Sequence, residues 1–169
     1  MIHDTHVSQF ITPPDCHYVT GTWSDAAGAV AGSIVKVKTA TDQVGVVTIP
    51  ICPPQNASGL KGAFLKTIDI WWNCTVAAMD AVTALIHQII LPADATAFPA
   101  VVALAFTYDT GHNTAAERLT LAQHKITLTL TTPIWLDDDD LIQVQLLADA
   151  AATSVFAFHG ARANYTLRL

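Results

Sequence analysis

Hydrophobic and polar residues alternate along this chain with a period of two, the spacing of a half-buried β-strand. The longest run is FLKTIDIWWNCTV. It sets Ile68, Ile70, Trp72, Cys74 and Val76 on one face and Thr67, Asp69, Trp71, Asn73 and Thr75 on the other. KITLTLT alternates strictly, with Ile126, Leu128 and Leu130 predicted inward and Thr127, Thr129 and Thr131 outward. LIQVQLL does the same with Ile142, Val144 and Leu146. SIVKVK places Ile34 with Lys36 and Lys38, opposite Val35 and Val37. In QVGVVTIPI, Pro50 reads as a strand exit or an edge position, because proline cannot donate to a ladder.

Two runs are less regular. AVTALIHQIIL fits helix or strand by period; its β-branched residues and the nearby Pro92 favour strand. AVVALAFTY is apolar on both faces, which predicts a central strand or one lying under a neighbouring subunit. SVFAFHG and ANYTLRL keep the chain strand-like to Leu169, so the end is expected to be tied into a sheet. The only helical signal is TAAE, a capping box from Thr114 to Glu117 that supports a turn or two. About eight short strands without alternating helices predict an all-β antiparallel sandwich, jelly-roll-like, spanning residues 1–169 as one domain. Residues 1–30 are expected to form an extended N-terminal arm.

Composition changes the picture in one respect. Charged residues are 13% of the chain, about half the usual ~25%, while hydrophobic content is an ordinary 51%. A surface this neutral is easiest to understand if other subunits cover much of it. The net charge of -6 and scattered Lys and Arg exclude nucleic acid as a direct partner, since phosphate binding needs a basic surface. VAAMDAVTALIHQIIL is interrupted by Asp80 and His87 and falls short of a membrane span, and the opening MIHDTHVSQF lacks the pattern of a signal peptide. Cys16, Cys52 and Cys74 lack metal or redox spacing and read as packed thiols in a reducing compartment.

Candidate chemistry is sparse. WLDDDDL holds four contiguous aspartates, Asp137, Asp138, Asp139 and Asp140. Calcium loops alternate their ligands around a glycine, so the run reads as a solvated turn, with an interfacial cation or a basic partner as the other uses. His3, Asp4 and His6, then Asp15, Cys16 and His17, are ligand-type residues without ligand spacing. His112, Glu117 and His124 form one loose cluster, and a metal-dependent enzyme would need that cluster or Asp138. His87 and His159 lie within apolar strands and read as packed or interface residues. No nucleophile elbow, phosphate loop or paired carboxylates stand out, and Glu117 is the only glutamate; no catalytic residue, metal or cofactor is expected. Trp71 points outward, where it can stack on a sugar ring or pack on another subunit, with Tyr108, Phe156 and Phe158 extending such a patch.

From about Leu60 to Leu169 the order LKTIDIWW, YDTGHNTAAER, then HKITLTLTTPIWLDDDDLIQVQLLADAAATSVFAFHGARANYTLRL resembles small β-sandwich proteins found among phage virion genes. That resemblance implies a non-enzymatic structural protein that self-assembles, as a trimer or higher, and coats or decorates a capsid or tail. Its partners would be itself and other virion proteins, and its location the virion after synthesis in the host cytoplasm. A carbohydrate- or receptor-binding module using Trp71 is the alternative.

Overall fold

The computed structural model describes residues 4–27, 34–38, 42–52, 63–92, 97–136 and 140–168. Twelve strands are defined among them: β1 (Asp4–Ile11), β2 (His17–Thr20), β3 (Trp23–Ala27), β4 (Ile34–Lys38), β5 (Val44–Ile51), β6 (Ala63–Thr75), β7 (Met79–Ile90), β8 (Ala100–Ala103), β9 (Phe106–Tyr108), β10 (Gln123–Leu136), β11 (Asp140–Ala150) and β12 (Val155–Arg168). They build two antiparallel sheets. Sheet A runs β3-β4-β12-β6-β10-β9, with β1 also paired to β12; sheet B runs β2-β5-β11-β7-β8. Within these, β4-β12-β6-β10 and β5-β11-β7-β8 have the pairing order of a jelly roll.

The alternation read from the sequence is what packs the sheets. Ile68, Ile70, Trp72 and Cys74 of β6, Ile126, Leu128 and Leu130 of β10, and Ile142, Val144 and Leu146 of β11 are all buried in one core. Phe156, Phe158, Ala161, Ala163 and Tyr165 of β12 join them from the centre of sheet A. Each buried Val, Leu, Ile or Phe side chain contributes about 1.5–3 kcal/mol of transfer free energy, so the core rather than any polar contact holds the sandwich together. AVTALIHQIIL is a strand, β7. The capping box forms as expected: the Thr114 hydroxyl accepts from Glu117 N–H, the Glu117 carboxylate accepts from Thr114 N–H, and α1 (Ala115–Arg118) follows.

Several sequence expectations are corrected. AVVALAFTY is not a central strand: it divides into β8, the edge of sheet B with all four residues exposed, and β9, the edge of sheet A. Apolar content on both faces cannot distinguish a buried strand from an uncovered one. Val76, expected inward, is 72% exposed, because β6 ends at Thr75 and Val76 turns the chain with φ 74°. Lys38 does not share the exposure of Ile34; it is fully buried near Gly45, where the lysine stem occupies the space a Cβ would need. Residues 4–27, where an arm was expected, supply β1, β2 and β3, paired to β12, β5 and β4 of the same chain.

Candidate ligand face and histidine string

The outer face of sheet A is set by register. Across β10, β6 and β12 one row reads Lys125, Trp71, Gly160; the next reads Thr127, Asp69, Arg162 and then Phe10 of β1; the third reads Thr129, Thr67, Asn164 and Ser8. Asp69 sits at the middle of this grid and is only 2% exposed. Its carboxylate accepts from Thr127 Oγ1 (2.6 Å), Arg162 Nε and Nη2 (3.1 and 2.5 Å) and Asn164 Nδ2 (3.2 Å), with Lys125 Nζ at 3.3 Å. Burial alone would raise the Asp69 pKa, but these donors outweigh it and hold the carboxyl below its ordinary range. The neighbours are braced in turn: Asn164 also donates to Thr67 Oγ1, and Ser8 Oγ donates to Asn164 Oδ1.

Aromatic rings stand around that polar centre. The Arg162 guanidinium lies 5.5 Å from the Trp71 ring and 5.8 Å from the Phe10 ring, and Lys125 Nζ lies 5.7 Å from Trp71. Beside them opens a cleft of about 310 Å³ whose lining includes Phe10, Trp71, Gln123, His159 and Gly160. Gly160 lines the opening. It has φ +126°, follows a register shift in β12, and a Cβ there would fall 2.8 Å from the Ile11 carbonyl oxygen. His159 pairs through Nε2 with Asn73 Oδ1 at 3.1 Å, and burial lowers its pKa. Trp72 also borders the cleft; it is 1% exposed, and its indole N–H has no acceptor among the described residues.

The second polar cluster is a string. Asp109 Oδ1 lies 2.8 Å from His112 Nδ1, His112 Nε2 lies 3.1 Å from His124 Nδ1, and His124 Nε2 lies 3.0 Å from the Thr120 carbonyl. Asp109 also accepts from the Thr127 and Gly111 N–H groups. His124 stacks on Trp72 at 5.0 Å, and Arg118 donates to the Val82 and His112 carbonyls. All four ring nitrogens of the two histidines have partners, so a metal would have to displace an existing bond at each. Glu117 is spent on the helix cap rather than on this cluster. The string latches the loop carrying α1 onto the end of the sandwich.

The remaining expected positions separate. Phe156 and Phe158 have no exposed surface and face the core, so they do not extend the Trp71 patch. Tyr108 is half-buried; its hydroxyl accepts from Ala84 N–H and its ring lies under Arg118 at 4.2 Å, away from Trp71 in the grid. Asp137, Asp138 and Asp139 lie outside the described residues. Asp140 is 8% exposed and accepts from Gln88 Nε2 at 2.8 Å, so this end of the run is packed rather than solvated. No group of three or more potential metal ligands occurs among the described residues.

Sequence reading found Trp71 but missed Phe10, Arg162, Asp69 and Gly160. A glycine inside SVFAFHGARANYTLRL was the available signal, since glycine within a strand marks a bulge or a close approach. A scan against protein-family models and a search of curated proteins each return no match to the chain.

Proposed function

We propose that this chain is a non-enzymatic structural protein that self-assembles through sheet B, of the kind that coats or decorates a phage capsid or tail. The observation that carries this reading is the outer face of sheet B. From Leu141 to Leu147 the outward positions of β11 are Leu141, Gln143, Gln145 and Leu147. Beside them lie Ile89, His87, Leu85 and Thr83 on β7, and Pro50, Thr48 and Val46 on β5. Val101 and Ala103 continue the rows onto β8. None of these is Lys, Arg, Asp or Glu. Leu85 is 45%, Val101 63% and Leu141 42% exposed. A copy of the chain meets no like charge along these positions, and the uncharged edge of β8, without a further strand among the described residues, offers backbone groups to a copy.

Absolute mass by light scattering on a sizing column tests the reading. A stable trimer or larger body, reduced to monomer by Val101→Lys with the fold intact, is the expected result. A monomer at every concentration overturns it.

A second reading is favoured by the Phe10–Trp71 cleft: a glycan- or receptor-binding module. An exposed Phe10 ring and a half-buried Trp71 ring beside a concave opening with polar groups at its edge are the usual make-up of a small-ligand site. Binding of any glycan that is lost in Trp71→Ala tests it.

A further inference from the structure

Beside the cleft, on side chains that reach its Trp71 and Phe10 rings without lining it, stands charge that a neutral ligand would not use. Arg162 and Lys125 stand beside Trp71, against the single carboxylate of Asp69, which leaves one net positive charge among them. Asp69 occupies Nε and Nη2 of Arg162; Nη1 makes no hydrogen bond among the described residues. The guanidinium is therefore held in place on one side and has donors left on the other, next to both rings. Lys125, with its side chain 47% exposed, keeps N–H groups for a second contact.

We propose that the Phe10–Trp71 cleft binds a sugar residue bearing a single negative charge, its ring against the aromatic side chains and its carboxylate or sulfate on Arg162 and Lys125. This rests on the second reading above and names its ligand class. Size favours one ring, since about 310 Å³ is at the lower end of the ~300–1,000 Å³ usual for small-ligand sites. Exposed Gln123 and His159, whose Nδ1 has no hydrogen-bond partner among the described residues, line the cleft and supply partners for hydroxyls. Charge disfavours nucleic acid, which brings a phosphate with every nucleotide, whereas this chain carries -6 overall and one net positive charge at the site.

The test is an array of uronic-acid and sialic-acid oligosaccharides printed beside their neutral counterparts, probed with the intact labelled chain. Acidic glycans are expected to bind at least about tenfold better than the neutral ones, a usual size for charge-assisted hydrogen bonds. Phe10→Ala and Lys125→Gln change exposed side chains and leave the Asp69–Arg162 pair in place. Each is expected to cut acidic binding about tenfold, Phe10→Ala at an unchanged melting temperature. Equal binding of acidic and neutral glycans overturns the charge assignment while the sugar-binding reading stands. No binding to any glycan overturns both. Displacement of a bound acidic glycan by an equal concentration of oligothymidine overturns the assignment in favour of a nucleotide site.

Discussion

Asp69 shows how much one side chain can hold on an otherwise neutral surface. Five donor groups converge on a carboxylate that is almost wholly covered. Asp69→Ala leaves Arg162 without its partner and takes an acceptor from the Thr127 hydroxyl and the Asn164 amide, so unfolding experiments are expected to show a loss of about 2–4 kcal/mol. The pH dependence has a definite sign. Because the folded-state value is depressed, the contribution is fully present above the unfolded value of about 4 and is lost as pH falls through the folded value. The gap in melting temperature between wild type and Asp69→Asn is therefore expected to close as the pH is lowered from about 6 towards 2. Cysteine reactivity gives a second check at this scale. Cys16 is buried and its thiol is pushed up to about 12 by burial and by Asp15, whereas Cys52 is exposed. A thiol reagent at neutral pH should label Cys52 rapidly and reach Cys16 and Cys74 only on unfolding. Alternation along FLKTIDIWWNCTV placed Asp69 and Trp71 outward correctly. It did not reveal that Asp69 is covered, because depth depends on partners from β10 and β12, distant in sequence.

At the scale of elements, the strands with strict period-two patterns were legible and the edges were not. β6, β10 and β11 are where their patterns predict, since a one-residue slip would expose every buried side chain. β8 is not the central strand that was one of the two expectations for it, because nothing in AVVA records whether a neighbouring strand is present. The cleft was illegible for a related reason: Phe10 meets Trp71's surroundings only through the pairing of the first strand with the last, Phe10 opposite Arg162. Gly160 is the hinge of that arrangement. Gly160→Ala must accept a positive φ and a contact with the Ile11 carbonyl. The expected cost is about 1–3 kcal/mol in denaturant titration, together with altered pairing of β1 on β12 seen as faster amide exchange in residues 4–11.

For the whole molecule, the two outer faces differ in kind. Sheet A presents the Asp69 grid with its cations and rings, and sheet B presents uncharged positions from Leu141 to Leu147. Each ring nitrogen of the His112–His124 string has a hydrogen-bond partner, and Asp140 accepts from Gln88. Mass and melting temperature are accordingly expected to be the same with and without EDTA; disassembly in EDTA would assign the aspartate run to an interfacial cation.

Because the two faces lie on opposite sides of one sandwich, contacts made through sheet B cannot cover the cleft on sheet A. Every copy added to an assembly of that design would present its Phe10–Trp71 rim outward with a fixed spacing. Binding that is weak for one chain would then be read as avidity: once one rim is engaged, its neighbours act at a high local concentration, and the assembly could hold a glycan-covered surface ~10²–10⁴ times more tightly than a single chain does.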